Sequence, residues 1–190
     1  LEKYHPEALR APCRTCVGKI LLGLHQNTGL SFTMTNLGFA GDAKILGKVN
    51  FARKVLVLDE CLERERKLSF LFTAGHQIGH WVLHRYNWQN LNLKQYYSNN
   101  EEISDDEKME FGLKRNCTRD WLEFQANAFA ASLTMPYRTF TIALKEAQLS
   151  MGIKKNFGVV YINNDTTSKQ DYENIVSIIS NRLDVSKESV

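Results

Sequence analysis

The run LSFLFTAGHQIGHWVLHRY, from Leu68 to Tyr86, constrains the fold of this chain most. It carries His76, His80 and His84 four residues apart in an apolar setting. Side chains four apart stack on one face of an α-helix, so the run reads as a helix with a strip of imidazoles. A protein presents two imidazoles to one metal ion in this way. The familiar form is H-E-x-x-H, in which the Glu activates a water, but here Gln77 follows the first His. Gly75 and Gly79 flank the pair and permit close backbone packing. His84 lies two turns from His76, and a continuous helix cannot wrap three such residues around one ion. It reads as a residue behind the ligands, a substrate contact or, before either, a structural histidine. Arg66 and Trp81 read as helix-entry and packing residues.

A length of 190 residues predicts a single domain over 1–190 with a sizeable core. Hydrophobic residues at 43% and charged residues at 24% are ordinary for a globular protein. A net charge of +3 is too small to argue for nucleic acid or an anionic membrane. No apolar run approaches the ~20 residues of a membrane span. No leader is visible, although a start at Leu1 leaves room for a removed one. Four cysteines do not make a disulfide scaffold. Cys13 and Cys16 form a lone C-x-x-C, a weak zinc or redox signal because a structural site needs a second pair. Reduced thiols in a reducing cytosol are the plain reading.

Along the chain, HPEALRAPCRTCVGKILLGLHQNTG reads as a helix ending near Asn27, Thr28 and Gly29, with His5 and His25 on the surface. LSFTMT, AKILGKVNF and KVLVLDE read as strands, the last of them buried. CLERERKL is a charged bridge into the histidine helix. Residues 87–118 are polar and acidic, a long connection that reads as an insert or lid, or equally as a surface loop. DWLEFQANAFAASLTMP returns to helical periodicity, with Trp121, Phe124, Ala128, Ala131 and Leu133 as the apolar set and Pro136 as the stop. FTIALKEAQLSMG is a further helix, and FGVVYINND a short strand with a turn. Residues 170–190 form a C-terminal helical segment with Ile175, Ile178 and Ile179 inward.

A catalytic zinc site uses three protein ligands and an open position. His76 and His80 would supply two, and Glu123, on a second helix, is the best third. Asn127, one turn beyond Glu123, could hydrogen-bond the outer nitrogen of a ligand imidazole. Each feature also has a plain reading. Histidine pairs occur by chance, and Glu123 could pair with Asp120 as a helix cap.

FLFTAGHQIGHWVLH followed by WLEFQANAFAASLTMP resembles the ImmA/IrrE family of zinc metallopeptidases. That family joins an H-E-x-x-H helix to an E-x-x-A-N-x-F-A segment and a closing M-P. Here the second element is Glu123, Ala126, Asn127, Phe129, Ala130, then Met135 and Pro136. The resemblance implies an α+β, zincin-like fold, with a small β-sheet beside an active-site helix and a second metal-ligand helix. It implies Zn2+ held by His76, His80 and Glu123. It implies a cytoplasmic bacterial endopeptidase that cleaves a protein partner, a helix-turn-helix DNA-binding repressor, without itself binding nucleic acid or membrane. The ending IISNRLDVSKESV resembles the family's C-terminal segment, which usually runs on, so a truncated C-terminus is expected.

The chain departs from that pattern at Gln77. A carboxamide has no proton to exchange near neutral pH, so it cannot act as general base or acid. Metal binding is untouched. The departure implies an inactive or nearly inactive peptidase, and deliberate Glu→Gln inactivation is favoured over the alternative, a natural pseudo-peptidase serving as a zinc-stabilised protein-binding module. Tyr137, Tyr161 and His84 are the candidates for oxyanion or substrate contacts, and nothing in the sequence orders them.

Overall fold

The computed structural model describes residues 1–64, 67–87, 96–99, 117–154, 156–160, 162, 163 and 165–190. Two compact units emerge. One joins Leu1–Ile20 to Ala131–Val190, and the other is Leu21–Ala130. The elements are α and β in a mixed order, an α+β fold of the zincin-like kind.

The Leu21–Ala130 unit is built on a five-stranded sheet: β1 (Ser31–Thr35), β2 (Phe39–Ala40), β3 (Ala43–Asn50), β4 (Val55–Asp59) and β5 (Tyr96–Asn99). The order is β1-β4-β3-β2, with β5 also on β3. β1 runs parallel to β4, and every other pairing is antiparallel. VLVLD has almost no polar content and forms the buried centre, with Leu56 and Leu58 at 0% exposure. Among the described residues β1 pairs only with β4, and four of its five residues are exposed.

Asp59 ends β4 and organises the turn into the helices. Its carboxylate accepts from the Leu37 amide at 2.7 Å and the Cys61 amide at 2.9 Å, and pairs with Lys44 at 3.3 Å. The second of these bonds caps the short helix α2 (Cys61–Arg64). Helix α3 (Lys67–His84) then packs across β3 and β4. Leu71, Ala74, Ile78 and Trp81, at helical spacing, are at most 2% exposed and form its core face. Trp81 stacks on Phe51 with ring centroids 6.2 Å apart and donates to Thr28 Oγ1 at 3.1 Å. That fits its reading as a packing residue; Arg66 lies outside the described residues.

Helix α4 (Cys117–Thr134) crosses α3 at Gly79. A Cβ there would lie 3.2 Å from the Ala126 Cα and carbonyl oxygen, so any larger residue would push the two backbones apart by a few tenths of an ångström. Among the described residues, Leu122, Ala126, Ala130 and Leu133 are the buried apolar set on α4. This corrects the apolar face expected from sequence, because Trp121 and Phe124 are 56% and 59% exposed and stack on each other. Small residues, not the large aromatics, make the close helix contact.

In the other unit, α5 (Tyr137–Ser150) packs on α6 (Thr166–Leu183) through Ala143, Ala147, Ile175, Ile179 and Leu183. Asp165 caps α6 by accepting from the Thr167 amide, and Asp184, at φ 56°, ends it in the left-handed region. Three expectations change at the ends of the chain. The N-terminal helix, α1 (Val17–Thr28), begins only at Val17; before it stands a 3-10 turn, Pro6–Leu9, opened by Pro6. His5 is buried, not on the surface, because its amide and that of Tyr4 fold back onto the Leu1 carbonyl. Residues 156–160 form a turn, not a strand. Gln148 holds it, accepting from the Gly158 amide at 2.6 Å and donating to the Val159 carbonyl at 2.8 Å.

Candidate metal centre

Two helices build the site. α3 contributes His76 and His80, one turn apart on one face, and α4 contributes Glu123. His76 Nε2 lies 2.9 Å from His80 Nε2 and 3.2 Å from Glu123 Oε2, and His80 Nε2 lies 3.7 Å from Glu123 Oε1. All three could therefore hold one metal ion. A tetrahedral ion about 2.0–2.1 Å from each donor would separate the donors by about 3.3 Å. The observed separations straddle that value. The imidazoles are buried, and the Glu123 side chain, at 32% exposure, marks the solvent side.

The ring environment also fits a cation. His76 Nδ1 lies 2.8 Å from Asn127 Oδ1, an oxygen that can only accept. In a neutral ring the proton is then on Nδ1, and Nε2 turns a lone pair toward Glu123. Burial, with His76 and His84 alongside, pushes the His80 pKa down to about 2 and keeps that ring neutral. Burial likewise lowers the pKa of His84 against the opposing hydrogen bond from Gln125. Two imidazoles and a carboxyl group converge on one point.

Gln77 is 0% exposed, and neither its Oε1 nor its Nε2 has a hydrogen-bond partner. Leaving such a group unpaired costs on the order of 1–3 kcal/mol, a cost that structure alone does not recover. Its side chain runs against β3, where a Cβ on Gly47 would lie 3.0 Å from Gln77 Cγ.

The remaining candidates separate. His84 joins the site from behind: its Nδ1 is 3.1 Å from His80 Nδ1 and its Nε2 is 3.0 Å from Gln125 Oε1. Sequence reasoning does not single out Gln125, and no spacing rule marks it. Tyr137 belongs to the other unit and is 85% exposed. Tyr161 lies outside the described residues, as does most of the 87–118 segment apart from β5 and the start of the Cys117–Thr134 helix.

Helix, sheet and donor set together define a metallopeptidase-type scaffold. The IrrE N-terminal-like domain, a peptidase family, matches residues 26–163, and the chain belongs to that family. No curated protein sequence matches it. Among solved structures it is similar to a Mycobacterium tuberculosis transcriptional regulator, at 15% identity and a TM-score of 0.50. The likeness covers 100% of this chain and 45% of that one, so the chain spans less than half of that protein's length.

Proposed function

We propose that this chain is the peptidase domain of a zinc-dependent endopeptidase, held inactive by Gln77, whose substrate is a helix-turn-helix transcriptional repressor in the cytoplasm. The observation that carries the reading is the convergence of His76, His80 and Glu123 from two helices on a single point. Two imidazoles and one carboxylate are the donor set of thermolysin-like catalytic zinc, with one position left for water or substrate. A zinc ion held there supplies a Lewis acid and an acidified water. Family membership supports a peptidase, and the likeness to a transcriptional regulator agrees with a partner in gene control. No helix among the described residues is long and apolar enough to cross a membrane.

The chain's own residues would divide the work between holding the ion and moving a proton. His76, His80 and Glu123 hold the ion, and Asn127 orients His76. A carboxylate at position 77 would take the proton of the reacting water and pass it to the leaving amine. A glutamate buried there would have its pKa raised by desolvation toward the range in which one group serves as both base and acid. The amide of Gln77 can hydrogen-bond but has no proton to exchange. The acidic 87–118 segment joins the two ligand helices, and its strand β5 lies along β3, whose Gly47 backs Gln77. That placement supports a role in substrate selection, which cleavage by a chain lacking 88–116 would test.

The deciding experiment compares the chain with its Gln77→Glu variant. Both should bind one zinc, and only the variant should cut helix-turn-helix repressors, at a rate higher by the 10²–10⁴-fold a general base contributes. Chelation should abolish the cleavage. The lack of an exchangeable proton on Gln77 admits one other reading, a zinc-stabilised binding module that never cut. A Gln77→Glu protein with full zinc that cleaves neither repressors nor an unbiased peptide library would establish that module instead.

A further inference from the structure

We propose that β1 is an open strand edge on which a second copy of this chain pairs, antiparallel, about a twofold axis at Thr33. The inference is independent of the metal-site reading and concerns the other margin of the sheet.

The parallel ladder with β4 fixes which backbone groups are left over. Ser31 pairs with Val55 and Thr35 with Asp59. The Ser31 amide donates to the Lys54 carbonyl at 2.8 Å, and the Thr35 carbonyl accepts from the Glu60 amide at 3.3 Å. Backbone groups alternate in direction along a strand, so Ser31, Thr33 and Thr35 turn theirs toward β4. Phe32 and Met34 turn theirs outward, and no hydrogen bond among the described residues meets them. The open stretch is bounded at both ends. The Leu30 carbonyl already accepts from His25 Nδ1 at 3.0 Å, and the Leu37 amide already donates to the Asp59 carboxylate. Edge strands are commonly blunted by a lysine, a proline, a bulge or a covering element. SFTMT has no charge and no proline, its register with β4 is unbroken, and four of its five residues are exposed.

A second copy fits this edge because the strand is complementary to itself. Set antiparallel about Thr33, Phe32 lies opposite the partner's Met34, and Met34 opposite the partner's Phe32. These are the residues with outward groups, so each pair exchanges two N–H···O bonds. On one face of the ladder each pair brings a ring to a thioether, a favourable contact. On the other face Ser31 meets the partner's Thr35, and Thr33 meets the partner's Thr33, hydroxyl pairs that bond across strands. No charge meets a like charge. A slip of two residues sets Met34 opposite the partner's Leu30, whose carbonyl is already engaged. The edge points away from β3, whose Gly47 backs Gln77, so a strand added here is not laid beside position 77. One five-residue strand per copy is a small contact, below the roughly 1,200 Å² of a stable interface, so the dimer forms and dissociates with concentration.

Sedimentation velocity on the full chain, with and without zinc, from dilute solution up to about 1 mM, tests the pairing. The parent should pass from monomer to dimer over that range, alike in both conditions. Thr33 is exposed, and Thr33→Lys or Thr33→Glu sets like charges opposite each other. Each should raise the midpoint about tenfold. Mixed in equal amounts the two should regain the parental midpoint, because residue 33 meets itself only across a twofold at that position. Met34→Pro removes an outward donor but no bond to β4, and should weaken the dimer as well. Circular dichroism reports the fold, and should a Thr33 variant not fold, Met34→Pro decides. A parent monomeric at the highest concentration overturns the pairing, whatever other strand the edge then takes. A parental midpoint in Thr33→Lys places the contact elsewhere and overturns it too, as do charge variants that stay apart when mixed.

Discussion

At the scale of single residues, Glu123 and Asp59 show two uses of a carboxylate. Glu123 stands at the solvent side of the centre, with its oxygens 3.2 and 3.7 Å from the two imidazoles. Glu123→Ala should remove a ligand and abolish stoichiometric zinc, whereas Asn127→Ala should only weaken binding by about 10–100-fold. Elemental analysis with full zinc in Glu123→Ala would refute the ligand assignment. Asp59 is buried and structural. Burial alone would raise its pKa, but hydrogen bonds from Cys61 and Leu37 and the Lys44 ammonium outweigh it and bring the value from 3.8 to about 2. A folded pKa below the unfolded one means the stabilisation is complete above 3.8 and is lost as pH falls through about 2. The drop corresponds to about 2 kcal/mol. The stability gap between the chain and Asp59→Asn, measured by urea denaturation, should be constant above about pH 4 and narrow between about pH 4 and pH 2. A gap that does not change with pH would show that the Asp59 charge contributes nothing. The role of Asp59 is not legible in the sequence, because its partners Leu37 and Lys44 are distant along the chain.

At the scale of elements, legibility depends on locality. His76 with His80, and Glu123 with Asn127, are each four apart on one helix, so helical period alone sets them on shared faces. The phase of α4 is not legible in the same way, since its large apolar residues suggest the wrong inner face. The contact with α3 is close, and Gly79 admits only Ala126 and its neighbours, which turns Trp121 and Phe124 outward. Gln125 is hidden for a related reason, since its partner depends on where the helices cross. Gly79→Ala tests this packing. The added methyl would sit 3.1–3.2 Å from Phe129 Cβ and the Ala126 backbone, too close without movement. Overpacking of this kind costs about 1–3 kcal/mol. Because Glu123 and Gln125 ride on α4, zinc affinity should fall with stability. Gly79→Ala with parental stability in urea and parental zinc affinity would mean the helices have slack that the contact distances deny.

At the scale of the whole molecule, the proposed ligands and their partners all belong to one unit. His76, His80, His84, Glu123, Gln125 and Asn127 fall within Leu21–Ala130, while the α5–α6 pair and the N-terminal turn belong to the other. A ligand that binds only the folded state stabilises it by mass action, by about 2.7 kcal/mol at one hundred times Kd. That gain is felt by the elements whose opening would release the ion. Zinc should therefore slow amide exchange chiefly in α3 and in the part of α4 up to Ala130, where a local opening separates the histidines from Glu123. In α6 the amides should gain less, since the cap at Asp165 and the core at Ile175, Ile179 and Leu183 hold it without the ion. Hydrogen exchange read by mass spectrometry, with zinc added and then chelated, checks this directly. Equal slowing in α3 and α6 would mean the two units open only together. No slowing in α3, in a protein that binds zinc, would put the ion somewhere other than between His76, His80 and Glu123.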